Sequence, residues 1–276
     1  MKLNKPLSAS SLKEFGKSPA HLIAYQNKVF ETTDAKELGS LIHTLILEPD
    51  EFDDRYFCLD DDEICMDLIA TGSKSPRSTK IYKEWKAGEL IKAGEKIMIP
   101  PEVLKVATTA ALKAQDLPII QAITLREEFI EWEYNEIAFR GYVDGAGTTL
   151  PLELQEFEGQ GFILDVKTTR DASPRAFGRD VFNMDYHLQA ALYCDANKTL
   201  RFAGPDPKFF LLAIETKEPF NCQLYEVTQD FLFKGTMKAE DLTDQYKEWD
   251  GEPYGYEYGR DDSTNGVIKL SPPAWS

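Results

Sequence analysis

The sequence predicts an α/β fold: a central mixed β-sheet flanked by helices, with an N-terminal helical elaboration. Three observations predict it. Up to about residue 125 the apolar residues recur at helical spacing, and from Arg126 the period switches to strand alternation. A continuous apolar run, Phe209-Phe210-Leu211-Leu212-Ala213-Ile214-Glu215, reads as a strand buried on both faces. At 276 residues, with 42% hydrophobic and 12% aromatic content, the chain has material for a substantial core. The expected organisation is one domain over 1–250, mainly helical over 1–125 and α/β over 126–250, with a loosely ordered tail at 251–276.

Taken in order, Leu7-Ser8-Ala9-Ser10-Ser11-Leu12-Lys13-Glu14-Phe15 opens with serines able to cap a helix, and Ser18-Pro19-Ala20-His21 starts a second. Capping is the ordinary role; hydroxyls with Lys13 or Lys17 at helix starts also suit a grip on phosphate. From Glu37 a strong helix runs to Leu47, with Leu38, Leu41, Ile42, Leu45 and Ile46 toward a core. His43 lies one turn after Gly39, where the missing side chain lets a backbone or an ion approach. Residues 48–67 are acidic, densest at Asp60-Asp61-Asp62-Glu63, and read as solvated loop. The basic polar stretch 71–80 reads either as a flexible linker or as a loop following a nucleic-acid backbone through Lys74, Arg77 and Lys80. Residues 81–93 and 102–115 read as amphipathic helices, the second introduced by Pro100-Pro101.

Residues 128–134 and 137–143 read as an antiparallel pair joined through Asn135-Glu136 and leading to Asp144. A further strand, Phe162-Ile163-Leu164-Asp165-Val166-Lys167, is followed at the same edge by Thr168, Thr169 and Arg170. Between them, 152–158 reads as an acidic hairpin extension. Side chains alternate along a strand, so Asp165 and Lys167 point one way while Val166 turns into the core. Two carboxylates in one concavity hold a hard divalent cation, and an ammonium beside them orients or deprotonates a water, a combination suited to phosphodiester hydrolysis. Among 47 acidic and 31 basic residues the Asp-x-Lys pattern also arises by chance, as a salt-bridged surface strand. Residues 180–196 predict a helix in which Gln189 and Tyr193 share a face. A strand at 222–228 and a helix at 231–249 follow the buried strand at 209–215.

In sum the order is Gly39-x-x-x-His43, a strand ending at Asp144, Asp165-x-Lys167, then Gln189-x-x-x-Tyr193. This series resembles the PD-(D/E)xK nuclease superfamily, within it the exodeoxyribonuclease VIII (RecE) group, and more distantly the RecB, AddB and Cas4 nucleases. The likeness spans residues 3–250 and includes Leu7-Ser8-Ala9-Ser10, the Arg77 segment before a Trp85 helix, and the run from Asp185 to Tyr193. It implies a restriction-endonuclease-like core in which His43, Asp144, Asp165 and the Val166 carbonyl hold Mg²⁺, with Mn²⁺ as a substitute. Lys167 then positions or activates the attacking water, and Gln189 and Tyr193 orient the scissile phosphate or the lysine. An additional glutamate falls on Glu127, Glu128 or Glu133, with Glu128 preferred. Lys74, Arg77, Lys80, Thr168, Thr169 and Arg170 are the candidates for contact with DNA.

The resemblance further implies 5′-to-3′ hydrolysis from linear double-stranded DNA ends, leaving 3′ single strands for recombination by annealing. With it come a ring-like homo-oligomer, a tetramer favoured, and a RecT-like single-strand annealing partner in a phage or prophage setting. The interval between Asp144 and Asp165 is longer than is usual in that family. Cys58, Cys65, Cys194 and Cys222 reproduce neither zinc spacing nor the cysteine set of iron–sulfur relatives, so no Fe–S cluster is expected. No apolar run reaches bilayer length and the opening residues carry no signal-like segment, so a cytoplasmic protein of a bacterial or phage-infected cell is expected. The net charge of −16 runs against phosphate binding unless a cation and clustered basic residues act locally. Two rivals stand beside this reading: a related nuclease with single-strand or endonucleolytic specificity, and, kept in view by the charge, a non-catalytic DNA-binding or regulatory protein on the same fold.

Overall fold

In the computed structural model, which describes residues 5–27, 33–156 and 158–255, the helical first half begins with α1 (Ala9–Lys17), α2 (Pro19–Asn27) and α3 (Asp34–Leu47). Ser8 and Ser11 build a capping box on α1: the Ser8 hydroxyl accepts from the Ser11 N–H at 3.1 Å, and the Ser11 hydroxyl from the Ser8 N–H at 2.7 Å. There follow α4 (Phe52–Arg55), β1 (Tyr56–Cys58), α5 (Asp62–Ala70), α6 (Lys80–Ala93), β2 (Ile97–Ile99), α7 (Pro101–Gln115) and α8 (Pro118–Gln121). Strands β1 and β2 pair in parallel as a small separate sheet.

The second half supplies β3 (Leu125–Tyr134), β4 (Ile137–Gly147), β5 (Phe162–Thr169), α9 (Pro174–Asn183), α10 (Tyr186–Leu200), β6 (Lys208–Glu215), β7 (Cys222–Glu226) and α11 (Gln229–Glu248). The main sheet runs β3-β4-β5-β6-β7, with β5 and β6 parallel and the other neighbours antiparallel. A parallel neighbour demands a long crossover, and α9 with α10 provides it. Asn135 and Glu136, at φ 49° and 63°, make the two-residue left-handed turn that matches hairpin twist.

Period-2 alternation sorts the buried strands between two cores. Ile163, Phe209, Leu211 and Ala213 join α1, α10 and α11 on one face, together with Ile130, Trp132, Phe139 and Val143 of the β3–β4 hairpin. Leu164, Val166, Phe210, Leu212 and Ile214 join α3 and α7 on the other. The second core takes nothing from β3 or β4 among the described residues, so that face of the hairpin projects past the helices.

Three expectations are corrected. Residues 48–67 are not a solvated loop but hold α4, β1 and the start of α5. The acids Asp62 and Glu63 occupy the first turn of α5, where they face the positive end of the helix dipole. The helix expected over 180–196 is two, α9 and α10, divided at Met184 and Asp185. Asp185 turns left-handed at φ 53° and its carboxylate anchors Lys238 at 2.6 Å, a tertiary tie that apolar periodicity does not reveal. The 152–158 segment forms a 3₁₀ turn, Leu152–Leu154, rather than a hairpin, with Phe157 outside the described residues. Of the tail expected from Gly251, residues 256–276 also lie outside them.

The α10–α11 contact is close at Gly235, where an added Cβ would lie 2.1 Å from the His187 carbonyl oxygen. Because the obstruction is backbone, Gly235→Ala is expected to destabilise the fold by roughly 1–3 kcal/mol, the usual range for overpacking. A denaturant melt checks this, and an unchanged midpoint would exclude the close approach.

Candidate active site

Strands β4 and β5 pair only through Gly145, Ala146 and Gly147 with Leu164, Ile163 and Phe162. Beyond that point they part. The Val166 N–H, left without a strand partner there, donates to Asp144 Oδ2 at 2.7 Å, so the carboxylate sits in the gap as part of the backbone's hydrogen bonding. The freed edge of β4 is taken by the segment before α1: the Leu7 N–H donates to Ala138 O and the Arg140 N–H to Leu7 O, each at 2.8 Å. That pairing sets Ser8, Ala9 and Ser10 at the mouth of a cleft of about 440 Å³, which His43, Asp144, Asp165, Lys167, Gln189 and Tyr193 also line.

His43 enters from α3. Its Nε2 lies 2.9 Å from the Val166 carbonyl, which can only accept, so Nε2 carries the proton and Nδ1 faces the acids. Nδ1 is 3.7 Å from Glu127 Oε1 and 3.8 Å from Asp144 Oδ2. Asp165, 2% exposed, is held by Gln189, whose side-chain N–H donates to Oδ1 at 2.8 Å, and by Lys167 Nζ at 2.5 Å from Oδ2. The Gln189 carbonyl in turn accepts from Lys13 Nζ at 3.3 Å, which fixes the amide's orientation. Lys13 and Lys167 both lie against the Tyr186 ring, at 5.2 and 5.0 Å from its centroid. Tyr193 donates to the Tyr142 carbonyl at 2.8 Å, and only a glycine at 141 leaves room, since an added Cβ there would meet the phenol oxygen at 2.7 Å.

Charge controls the protonation of these groups. Burial, reinforced by the neighbouring Asp165 charge, pushes the Asp144 carboxyl up to about 6. For His43 burial opposes protonation but is outweighed by Glu127 and Asp144, so its pKa rises. Lys167 is likewise penalised by burial and more than compensated by Asp165 and Asp144, which hold it as an ammonium. Lys13 goes the other way: burial first, then repulsion from Lys167, pushes it down to about 8. Burial raises the Tyr193 phenol, which stays protonated.

The acid that β3 brings to His43 and Asp144 is Glu127, not Glu128, and it lines the adjoining pocket that shares His43 and Thr168. Counting back in twos from buried Trp132 and Ile130 arrives at Glu128, but that residue is exposed. Glu127 takes a left-handed φ of 46° and sits opposite Asp144, between the paired positions Arg126–Gly145 and Glu128–Val143. Like charges opposite one another across strands repel, and no local pattern predicts them. His43, Asp144, Asp165, Lys167, Gln189, Tyr193, the Val166 carbonyl and Thr168 are brought together, Thr168 with its hydroxyl 3.3 Å from where a Gly39 Cβ would stand. Lys74, Arg77, Lys80, Thr169 and Arg170 do not line the cleft. Arg77 is bound by the Asp61 carboxylate at 2.7 and 2.8 Å, and Lys80 pairs with Glu84 at 3.5 Å. Lys13 does not line the cleft either, but it bonds Gln189 and lies against Tyr186, which do, and it is the cation the sequence left undecided.

His43, Glu127 and Asp144 each offer a ligand atom, and these lie within 4.8 Å of one another. Two carboxylate oxygens and an imidazole suit a hard or borderline divalent ion, whose neighbouring ligands stand about 3 Å apart in octahedral Mg²⁺ sites. Asp165 lies outside that trio, engaged by Lys167 and Gln189. Its buried Oδ2 accepts no hydrogen bond of ordinary geometry beside the ion pair, which leaves a lone pair for a further ligand role. The donor set therefore fits a divalent cation.

A family model for a PDDEXK-like domain of unknown function (DUF3799) matches residues 8–97 and 155–252, which include His43, Asp165, Lys167, Gln189 and Tyr193 but neither Glu127 nor Asp144. No curated protein matches the chain by sequence. Among solved structures, a candidate exonuclease from Eubacterium rectale superposes with a TM-score of 0.55 at 14% identity, covering 98% of this chain and 91% of that one. At that identity the likeness speaks for the fold alone, and the PDDEXK-like character rests on the family model.

With its pKa raised to about 6, Asp144 favours the fold when protonated. That contribution is fully present below the ordinary aspartate range and is lost as pH rises through about 6. Asp144→Asn keeps an oxygen for the Val166 N–H while removing the charge. At pH 8 it is expected to stabilise the metal-free protein by on the order of 1–3 kcal/mol and to abolish stabilisation by Mn²⁺. Thermal melts with and without Mn²⁺ read both effects; a variant that gains as much from Mn²⁺ as the parent would remove Asp144 from the ligand set.

Proposed function

From the premise that the chain belongs to the PDDEXK-like family of unknown function (DUF3799), we propose that it is a metal-dependent nuclease that hydrolyses DNA phosphodiesters. The finer reading is an exodeoxyribonuclease using Mg²⁺ and working 5′-to-3′ on linear duplex ends, leaving 3′ single strands for annealing. One observation carries the hydrolytic reading. His43, Asp144 and the Asp165–Lys167 ion pair line a single cleft, with an ammonium already held beside the acids. Glu127, which lines the adjoining pocket that shares His43, completes a trio with His43 and Asp144. The polarity, the ring-like oligomer and the RecT-like partner rest on the resemblance to the RecE group, and the Eubacterium rectale neighbour supports the exonucleolytic form through its description alone.

In this reading His43 Nδ1, Glu127 and Asp144 hold the cation, with Asp165 Oδ2 and the Val166 carbonyl beside them. When bound, a divalent ion supplies Lewis-acid polarisation of the phosphoryl oxygen and a more acidic water. The chain's own groups do the rest. Lys167, kept charged by Asp165 and Asp144, faces the cleft as a cation that orients the phosphate and stabilises its developing charge rather than accepting a proton. Gln189 fixes Asp165, and through it Lys167, while Tyr193 locks β4 at Tyr142. Lys13 adds a second positive charge from α1. Together the two ammoniums and the bound cation answer locally the net charge of −16. That same charge keeps the rival reading of a non-catalytic binding or regulatory protein in view.

Incubation with end-labelled linear duplex DNA and Mg²⁺ separates these. The parent is expected to release label from 5′ ends and to leave circular DNA intact, and Asp165→Asn and Lys167→Met to lose about 10²–10³-fold in rate. Cleavage of circles moves the assignment to an endonuclease; no metal-dependent cleavage by the parent moves it to the binding protein. Lys13 gives a pH signature: with its pKa near 8 it loses charge as pH rises through that value. Affinity for DNA is therefore expected to fall above pH 8 in the parent, and Lys13→Arg to hold it to higher pH. Anisotropy titrations at pH 7 and 9 test the shift.

A further inference from the structure

Phe129 and Tyr142 are partners across β3 and β4, two register positions along the hairpin from the opposed Glu127 and Asp144. Their rings meet at 5.2 Å between centroids, tilted by 56°, and remain 45% and 56% exposed. Other large apolar residues of the hairpin, Ile130, Trp132, Phe139 and Val143, are buried in the first core. Tyr142 also lines the cleft that holds Asp165 and Lys167. Two register positions span about 7 Å along a strand, the rise of about two stacked bases.

Resting on the nuclease reading above, we propose that Phe129 and Tyr142 form a stacking platform for an unpaired base next to the phosphate in the cleft. The site then engages a single-stranded or frayed DNA end. Aromatic faces bind bases without sequence preference, because every base presents a π-face. The platform is flanked by exposed Glu128, Glu131 and Glu133, which repel a phosphate backbone but not an uncharged base. The backbone is drawn instead to the ammoniums of Lys167, which lines the cleft, and Lys13, both of which lie against Tyr186. A second protein fits the patch poorly. Two rings set among charged side chains, with Arg140 and Glu131 as the next pair, fall far short of the about 800 Å² that a stable interface buries on each partner.

The test uses the full chain with a single-stranded oligonucleotide carrying 2-aminopurine near its 5′ end, with Ca²⁺ replacing Mg²⁺. The parent is expected to quench the probe. Phe129→Leu with Tyr142→Leu, which keeps apolar bulk but removes the rings, is expected to lose the quenching and bind roughly tenfold more weakly. Its melting temperature and its response to Mn²⁺ are expected to stay unchanged. No quenching by the parent, or equal quenching by the double variant, overturns the platform. So does a change in sedimenting mass without a change in quenching, which would make the patch a protein interface. A parent that quenches but cuts no DNA with Mg²⁺ keeps the platform and removes the nuclease reading instead.

Discussion

The site depends on the parting of β4 from β5. Had the two strands stayed paired past Gly145, the Val166 N–H would have found a strand carbonyl and Asp144 would have lain flat against the ladder. Instead the carboxylate replaces that carbonyl, and the opening gives room for His43 from one layer of helices and Gln189 from the other. The same parting bares the edge of β4 for Leu7, which draws the start of α1 to the cleft. Backbone satisfaction and site assembly are thus one arrangement.

What gathers in the opening is electrostatically unfavourable by itself. Glu127 stands opposite Asp144, and Asp144 beside Asp165, all poorly solvated. The surrounding cations relieve this unevenly. Lys167 is fully engaged and stays charged, His43 is drawn toward protonation, and Asp144 still carries a raised pKa. A cluster of acids left short of positive charge suits a divalent cation, and the instability it brings is of the kind proteins keep at functional sites.

Much of this was legible in the residues. The hairpin at Asn135-Glu136, the strands carrying Asp165 and the 209–215 run, and the capped start of α1 each rest on local chemistry: turn dihedrals, alternation, a serine hydroxyl near a free N–H. Where reading failed, the deciding force came from elsewhere in the chain. The resemblance left the additional glutamate among Glu127, Glu128 and Glu133 with Glu128 preferred, yet a left-handed Glu127 is the acid that meets Asp144. Arg77 looked available for a phosphate, but Asp61 and Tyr82 claim it in three dimensions. The helix across Asp185 looked continuous because nothing local announces a carboxylate tied to Lys238.

The sequence by itself determined the class of fold, the order of the site residues along the chain and the pairing of Asp165 with Lys167, because strand periodicity and neighbouring positions are local properties. Tertiary structure alone decided that Glu127 completes the trio, that Lys13 crosses from α1 to Gln189, and that Phe129 and Tyr142 are left uncovered. Each of these turns on which segments meet across the gap between β4 and β5, and residues distant in sequence carry no local mark of the distance that will separate them once folded.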